Sequence, residues 1–214
     1  MRVLVAWPTV DVKEANITAA RWKNQGYDTA LFIEHSIEQP SNIDHYIIGD
    51  WKGFPSAANK LCQAYVDLYD IIIISGNDLY PDTKLTAQEI GNQFMDHFHG
   101  TNGIMHPVGD KYGLIMEAAV CPWIGADYIK SVYGGRGPYY EGYYHYFCDG
   151  ELQDVATLNN TFWQRDDLIQ YHAHWSRMHE KRPAHLMPAL TNHADDQATY
   201  HARKEAGFPG VFNE

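Results

Sequence analysis

The sequence predicts an α/β fold with a single, mostly parallel central sheet and flanking helices. Strand-like apolar runs alternate with helical patterns over the first hundred residues, and this alternation is typical of a parallel sheet. The run Ile71–Ile74 is apolar at every position, as expected of a central strand that is covered on both faces. Hydrophobic residues make up 45% of the 214 residues and aromatic residues 14%, which is enough for a sizeable core.

The chain opens with a predicted strand, helix and strand. Residues 3–6 are apolar, and after Glu14 the residues Ala15, Ala19 and Trp22 recur at helical spacing. Gly26 is expected to end this helix, and a second strand follows it up to Ile33. This order predicts a βαβ unit, whose two strands lie parallel in one sheet.

Two further helices are predicted from their N-terminal residues. Ser56 is expected to cap the helix that leads into the isoleucine strand. Thr86 and Glu89 have the spacing of a capping box, which predicts the start of the next helix. Later in the chain, helices are predicted over residues 149–158 and 195–206.

The chain has no internal repeat and no Gly-, Pro- or Ser-rich linker. We therefore expect one domain over residues 1–175 and a C-terminal extension over residues 176–214 that packs on it.

The overall charge and the cysteines limit the classes of protein to consider. Lys and Arg number 16 and Asp and Glu 27, and the resulting net charge of −11 opposes non-specific binding to nucleic acid or anionic lipid. The three cysteines are scattered, which indicates neither a disulfide framework nor a cysteine zinc site. No apolar run approaches the ~18 residues of a membrane span, and the first seven residues lack the features of a signal peptide, so a cytoplasmic protein without a membrane partner is expected.

A polar segment, residues 75–82, directly follows the isoleucine strand. Ligands of open α/β sheets bind beyond the carboxyl ends of the strands, so Asp78 is well placed to hold a divalent cation against a diphosphate. The alternative is an ordinary turn, because Gly, Asn, Asp and Pro favour turns. The chain has neither the P-loop lysine pattern nor GxGxxG after its first strand, which disfavours P-loop and Rossmann dehydrogenase functions.

Two later segments carry candidate catalytic or ligand groups. Asp149 and Glu151 lie at a predicted helix start, where the helix dipole keeps a carboxylate ionised and suited to act as a base. They are alternatively capping residues. His172 and His174 alternate along a predicted strand, so one of them at most is expected to reach a given metal ion, and a purely structural role is the alternative.

Several segments in the first half of the chain combine with these sites into an ordered pattern. The first strand ends in a Pro8-Thr9 turn, and Glu34 follows the second strand. A run of small residues at 53–59 ends in Asn59, before the isoleucine strand and the Asn77-Asp78 pair. A glycine-rich loop, residues 133–138, then precedes Asp149 and the late histidines.

In this order the sequence resembles the GT-A fold glycosyltransferases, in particular inverting family-2-like enzymes such as a small phage or bacterial member. The resemblance extends through Trp175 and implies the GT-A form of the Rossmann-like fold. Asp78 is similar to the last residue of the Asp-X-Asp metal motif, whose first acidic position is Ser75 or Gly76 here. His172 or His174 would complete a site for Mn²⁺ or Mg²⁺.

The resemblance also implies the roles of the other residues in moving a sugar from a nucleotide-sugar donor to an acceptor hydroxyl. Asp149 would be the acceptor-activating base, with Glu151 as the fallback. The expected donor-binding residues are Pro8, Thr9, Glu34, Asn59, Asn77 and Asp78. The expected acceptor-side residues are Gly135, Arg136, Tyr139 and Glu151.

The acceptor and the exact reaction stay open at this point. Five tyrosines in residues 139–146 would either stack on sugar rings or bases or belong to the core. The acceptor would be a saccharide, lipid or protein, or a modified base in phage DNA, in which case the compartment is the host cytoplasm. A nucleotidyltransferase and a non-catalytic nucleotide-sugar-binding protein on the same scaffold are the alternative functions.

Overall fold

A computed structural model describes residues 1–34, 39–108, 118–176, 178 and 180–212. The strands are β1 (Val3–Thr9), β2 (Asp28–Ile33), β3 (His45–Ile48), β4 (Ile71–Ile74), β5 (Leu79–Tyr80), β6 (Ile104–Val108), β7 (Trp123–Gly125), β8 (Phe162–Ile169) and β9 (Tyr171–His172). The helices are α1 (Val12–Lys23), α2 (Phe54–Tyr65), α3 (Ala87–Phe98), α4 (Ala126–Ser131), α5 (Cys148–Leu158) and α6 (Met187–Glu205). Short 3₁₀ turns lie at Tyr133–Gly135 and Ala184–Leu186.

Within the described residues, seven strands form one sheet in the order β3-β2-β1-β4-β7-β6-β8. Strand β7 is antiparallel to both of its neighbours, and the other strand pairs of this sheet are parallel. Six strands therefore direct their carboxyl ends to the same edge. The predicted α/β fold with a mostly parallel central sheet and flanking helices is confirmed.

The isoleucine strand lies in the middle of this sheet, as predicted, with β1 on one side and β7 on the other. Its side chains alternate between two cores: Ile72 and Ile74 pack on the face covered by α2 and α5, and Ile71 and Ile73 pack on the face covered by α1 and α3. All four are buried, which explains why the strand has no polar position.

Three predicted helix boundaries differ from the structure. Helix α2 begins at Phe54 with Gly53 at the N-cap, so Ser56 lies inside the first turn and does not cap it. Helix α6 begins at Met187, upstream of the predicted position 195. Pro188 is tolerated in its first turn, because the N–H that proline lacks would have no hydrogen-bond partner within the helix at that position. Helix α1 ends at Lys23, and Gly26 takes a positive φ of 88° in the turn that follows.

Other local predictions hold. Thr86 and Glu89 form the predicted capping box at the start of α3. Helix α1 buries Ala15, Ala19 and Trp22, which were identified by their spacing. Among the described residues, no helix has both the length and the apolar character needed to cross a membrane.

Candidate functional site

The loop after β4 lies at the topological switch point of the sheet, where the chain order reverses between β1 and β4. Open α/β sheets bind ligands in the crevice at this point, beyond the carboxyl ends of the strands. Thr9 ends β1 at this edge, and Pro8 precedes it. Glu34 is exposed directly after β2, whose carboxyl end is also at this edge.

Asn77 ties the loop after β4 to the end of β1. Its Oδ1 accepts a hydrogen bond from Trp7 Nε1 at 2.7 Å, and its Nδ2 donates to Thr9 Oγ1 at 2.9 Å. Trp7 is completely buried and Thr9 nearly so. These bonds engage both ends of the Asn77 amide, which therefore holds the loop that carries Asp78.

A small antiparallel ribbon brings Asp78 and a histidine together. Strands β5 and β9 pair Leu79 with His172, and Ala173 N donates to the carbonyl of Asp78 at 2.8 Å. As a result His172 Nε2 lies 3.1 Å from Asp78 Oδ2. The ring of His174 is centred 5.2 Å from that of His172. The predicted Asp-histidine grouping thus occurs, with His172 as the nearer member.

Charge interactions favour the ionised form of Asp78. Burial alone would raise its pKa, but the hydrogen bond and charge of His172 outweigh that effect, and the pKa of Asp78 is lowered. Burial and the nearby His172 lower the pKa of His174, which keeps its imidazole neutral over a wider pH range. The ionised carboxylate is the form that binds metal ions, and a histidine that joins it as a ligand would have to be neutral.

Asp78 and His172 would present one carboxylate oxygen and one imidazole nitrogen to a divalent cation, and its other ligands would have to come from a bound molecule or water. Mg²⁺ is commonly bound by one or two carboxylates together with substrate phosphates, and imidazole is an accepted ligand of transition metals. Among the residues with described positions, no group of three or more His, Cys, Asp or Glu side chains is arranged around a common metal position. The protein alone would therefore supply a two-residue site.

Asp149 occupies the first turn of α5, which leads back to the start of β8. Because β8 is parallel to β6, the N-terminus of α5 faces the same sheet edge as Asp78. The Asp149 side chain is half-buried, and burial raises its pKa despite a hydrogen bond from Gly150 N. A raised pKa is the condition expected of a general base that works near neutral pH.

Asp149 and Asp78 each act on a buried titratable group. The pKa of Tyr139 is raised by burial, with smaller contributions that include Asp149 and Cys121. Burial raises the pKa of Cys121 to about 12, and the charge of Asp78 adds to that effect. Each carboxylate therefore acts electrostatically on its own buried neighbour, Asp149 on Tyr139 and Asp78 on Cys121.

Glu151 has a different environment from Asp149. It is 1% exposed, and Arg203 on α6 donates to both of its oxygens, at 2.6 Å from Nη2 and 2.8 Å from Nε. The hydroxyls of Tyr133 and Tyr143 each donate to it at 2.6 Å. This set of bonds leaves no access for an acceptor, and the expectation of Glu151 as the fallback base or an acceptor-side residue is wrong on geometric grounds.

Asn59 and Tyr139 belong to one buried contact. Asn59 Nδ2 donates to the Tyr139 carbonyl at 2.8 Å, and Tyr139 N donates to Asn59 Oδ1 at 3.1 Å. Asn59 is fully buried and Tyr139 is 2% exposed. The Asn59 side chain and the Tyr139 backbone thus hold α2 against the segment after the glycine-rich loop, and the buried ring of Tyr139 has no free face for an acceptor.

The glycine-rich loop presents one exposed cation. Arg136 is exposed, and its Nε donates to the Tyr133 carbonyl at 3.2 Å. Gly135 has a positive φ of 75° in this loop. Gly137 also has a positive φ, and a Cβ there would lie 2.4 Å from Asn59 Oδ1, so only glycine fits.

The tyrosine segment is divided between core and surface. Tyr143 is buried like Tyr139, whereas Tyr140, Tyr144 and Tyr146 are half-buried. Arg203 covers the ring of Tyr140 with its guanidinium carbon 3.6 Å from the ring centre. The core alternative therefore holds for Tyr139 and Tyr143.

Two structurally important residues escaped sequence reasoning. Arg203 pairs with Glu151, and the carboxylate of Asp196 accepts hydrogen bonds from three consecutive backbone N–H groups, residues 144–146. Both residues lie on α6, some fifty residues after their partners.

Comparison of the sequence with models of protein families and with curated proteins finds no match, so the function is inferred from the residues themselves.

Proposed function

We propose that this chain is a metal-dependent glycosyltransferase of the GT-A type, which moves a sugar from a nucleotide-sugar donor to an acceptor hydroxyl. The observation that carries the proposal is the 3.1 Å contact of Asp78 and His172 beside the switch point of the sheet. The raised pKa of Asp149 at the same edge adds a candidate base.

In this proposal, the donor binds at the carboxyl-end edge of β1 and β4, beside the loop after β4. Asp78 and one histidine, with His172 favoured, would hold Mn²⁺ or Mg²⁺ on the donor diphosphate. Such an ion stabilises the negative charge that develops on the leaving nucleoside diphosphate. Asn77 and Thr9 keep the loop in place, and Glu34 is available to the nucleoside.

The expected stereochemical outcome is inversion. Asp149 would take the proton of the acceptor hydroxyl while that oxygen attacks the anomeric carbon opposite the leaving diphosphate, a contribution of about 10²–10⁴ in rate. The second carboxylate of α5's first turn, Glu151, is occupied by Arg203 and two tyrosines. Only Asp149 of that turn is left for proton transfer.

The acceptor is proposed only as a class. Arg136 is exposed in the glycine-rich loop and is suited to an anionic group of the acceptor or the donor. A saccharide is favoured over a modified base in DNA, because the net charge of −11 opposes attraction to a phosphate backbone. A cytoplasmic location belongs to the same proposal.

Thermal unfolding in the presence of nucleotide sugars, with and without Mn²⁺, tests the proposal. A donor at 100 times its dissociation constant should stabilise the protein by ~2.7 kcal/mol, and this effect should require the metal. Product analysis then separates the alternatives: sugar transfer releases a nucleoside diphosphate, nucleotidyl transfer releases pyrophosphate, and a binding protein releases neither. Absence of metal-dependent stabilisation by every donor would contradict the proposal.

A further inference from the structure

Helix α6 contacts the segment that carries Asp149 at two places, one on each side of it. Asp196 contacts residues 144–146 before Asp149, and Arg203 contacts Glu151 after it. Both α6 side chains are buried, with 3% and 9% of their surface exposed.

Asp196 fixes the backbone before α5. Its carboxylate accepts bonds from Tyr144 N, His145 N and Tyr146 N at 2.7, 2.9 and 2.8 Å. Three bonds to consecutive residues hold their orientation more strictly than one, and N–H bonds to a carboxylate are about twice as strong as those to a neutral acceptor. The next residue, Phe147, has a φ of 67°, which is uncommon for a bulky side chain and needs support from its surroundings.

Arg203 fixes the first turn of α5 from the other side. Its guanidinium donates three hydrogen bonds to Glu151, two residues beyond Asp149. Two tyrosine hydroxyls complete the surroundings of that carboxylate, and the ring of Tyr140 covers the guanidinium. The first turn of α5 therefore cannot rotate or shift without breaking this network.

We propose that α6 positions Asp149 for proton transfer, with Asp196 and Arg203 as the positioning residues. The inference rests on the proposed function in one respect, namely that Asp149 acts as the base. It goes beyond that function because it makes the C-terminal region a part of the catalytic apparatus. Neither residue needs to touch the substrate: each acts through the backbone on which Asp149 is mounted.

The test compares two conservative variants with a matched control on the same pair of helices. Asp196→Asn and Arg203→Lys weaken the two contacts that flank Asp149. Tyr200→Phe removes a different α5–α6 bond, from the Tyr200 hydroxyl to Asp154 Oδ2 at 2.6 Å, farther along α5. All three variants weaken hydrogen bonds made by α6, but only the first two change the support of Asp149.

We expect kcat to fall about 10- to 100-fold in Asp196→Asn and Arg203→Lys, with KM for the donor changed less than about threefold. Tyr200→Phe should keep kcat within about twofold at a temperature well below the melting point of every variant. The positioning role would be overturned if kcat were unchanged in the first two variants. It would also be overturned if the loss of kcat were simply proportional to the loss of melting temperature in all three variants.

A second measurement does not depend on enzymatic activity. Amide hydrogen exchange in residues 144–151 should become faster in Asp196→Asn and Arg203→Lys, while exchange in β1 and β4 stays as in the wild type. If the wild-type chain transfers no sugar, the proposed function fails, and the exchange data still decide whether α6 restrains this segment. Unchanged exchange in both variants would overturn the inference by itself.

Discussion

Asp78 and His172 lie 94 residues apart in the sequence, yet Oδ2 of the first is 3.1 Å from Nε2 of the second. The contact exists because β5 follows the loop after β4 and pairs with β9, which follows β8 at the same sheet edge. A ribbon of two residues per strand thus connects the central strand with the last strand of the sheet.

The first prediction concerns the carboxylate of Asp78. Asp78→Asn should abolish Mn²⁺-dependent binding of nucleotide sugars, because the variant lacks the anionic oxygen that a hard cation requires. Isothermal titration calorimetry with donor and Mn²⁺ measures the effect. Asp67→Asn is the control, since Asp67 is an exposed carboxylate paired with Lys130. Equal affinity of Asp78→Asn and the wild type would remove Asp78 from the metal site.

The two histidines should differ in their importance. His172→Ala should weaken metal-dependent donor binding by at least about tenfold more than His174→Ala, because His172 Nε2 lies 3.1 Å from Asp78 Oδ2. The same calorimetric titration, carried out on both variants, provides the comparison. Equal losses would instead indicate damage to the β5–β9 ribbon, which circular dichroism of the two variants would reveal.

Asp149→Asn should separate chemistry from binding. The amide cannot accept the proton, so kcat should fall by about 10²–10⁴ with donor affinity nearly unchanged. Asp154→Asn serves as the control carboxylate on the same helix and should keep kcat. Turnover of Asp149→Asn within a few-fold of the wild type would exclude Asp149 from the reaction.

The raised pKa of Asp149 has consequences for activity and stability. In the pH profile of kcat, the fall in activity on the acid side should occur at a pH above the ordinary aspartate pKa of about 3.9. This fall should disappear in Asp149→Asn. When a carboxyl group has a higher pKa in the folded protein than in the unfolded chain, the folded protein loses stability as pH rises from the unfolded-state pKa through the folded-state pKa. Urea unfolding near neutral pH should therefore find Asp149→Asn at least as stable as the wild type, and a clear loss of stability would contradict the burial argument.

Gly53 should be intolerant of a side chain. Its φ is 102°, and a Cβ would lie 2.5 Å from the carbonyl oxygen of Tyr144, so Gly53→Ala combines backbone strain of about 1–3 kcal/mol with a steric clash. Gly207→Ala is the matched control, because Gly207 also has a positive φ but no atom lies within 4 Å of its Cβ position. Urea unfolding of the two variants should show the larger loss for Gly53→Ala.

The general fold could be predicted because its signals are local. The four isoleucines require burial on both faces, and the capping box of Thr86 and Glu89 is complete within four residues. The position of Asp78 at a strand end follows from the same pattern. Boundaries were less predictable: Ser56 is a good N-cap by residue type, but the chain instead begins α2 at Phe54, where Phe54 N donates to the distant Tyr144 carbonyl.

The divergent environments of Asp149 and Glu151 could not be predicted from sequence. Both are carboxylates in the first turn of one helix, and nothing near them in the chain distinguishes their surroundings. The difference arises from Arg203, 52 residues after Glu151, which donates three hydrogen bonds to the Glu151 carboxylate. Helical geometry contributes, because residues two apart project in directions about 200° apart around the axis.

Helix α6 lies late in the sequence, and this order matters while the polypeptide is being synthesised. At about 5–20 residues per second, translation needs ~3–10 s to add the 52 residues that separate Glu151 from Arg203. The residues of α5 and both tyrosine partners of Glu151 are therefore synthesised seconds before the cation that neutralises its charge. A nascent chain should therefore complete β1–β4 first and keep residues 144–151 open to proteases until residue 203 has left the ribosome.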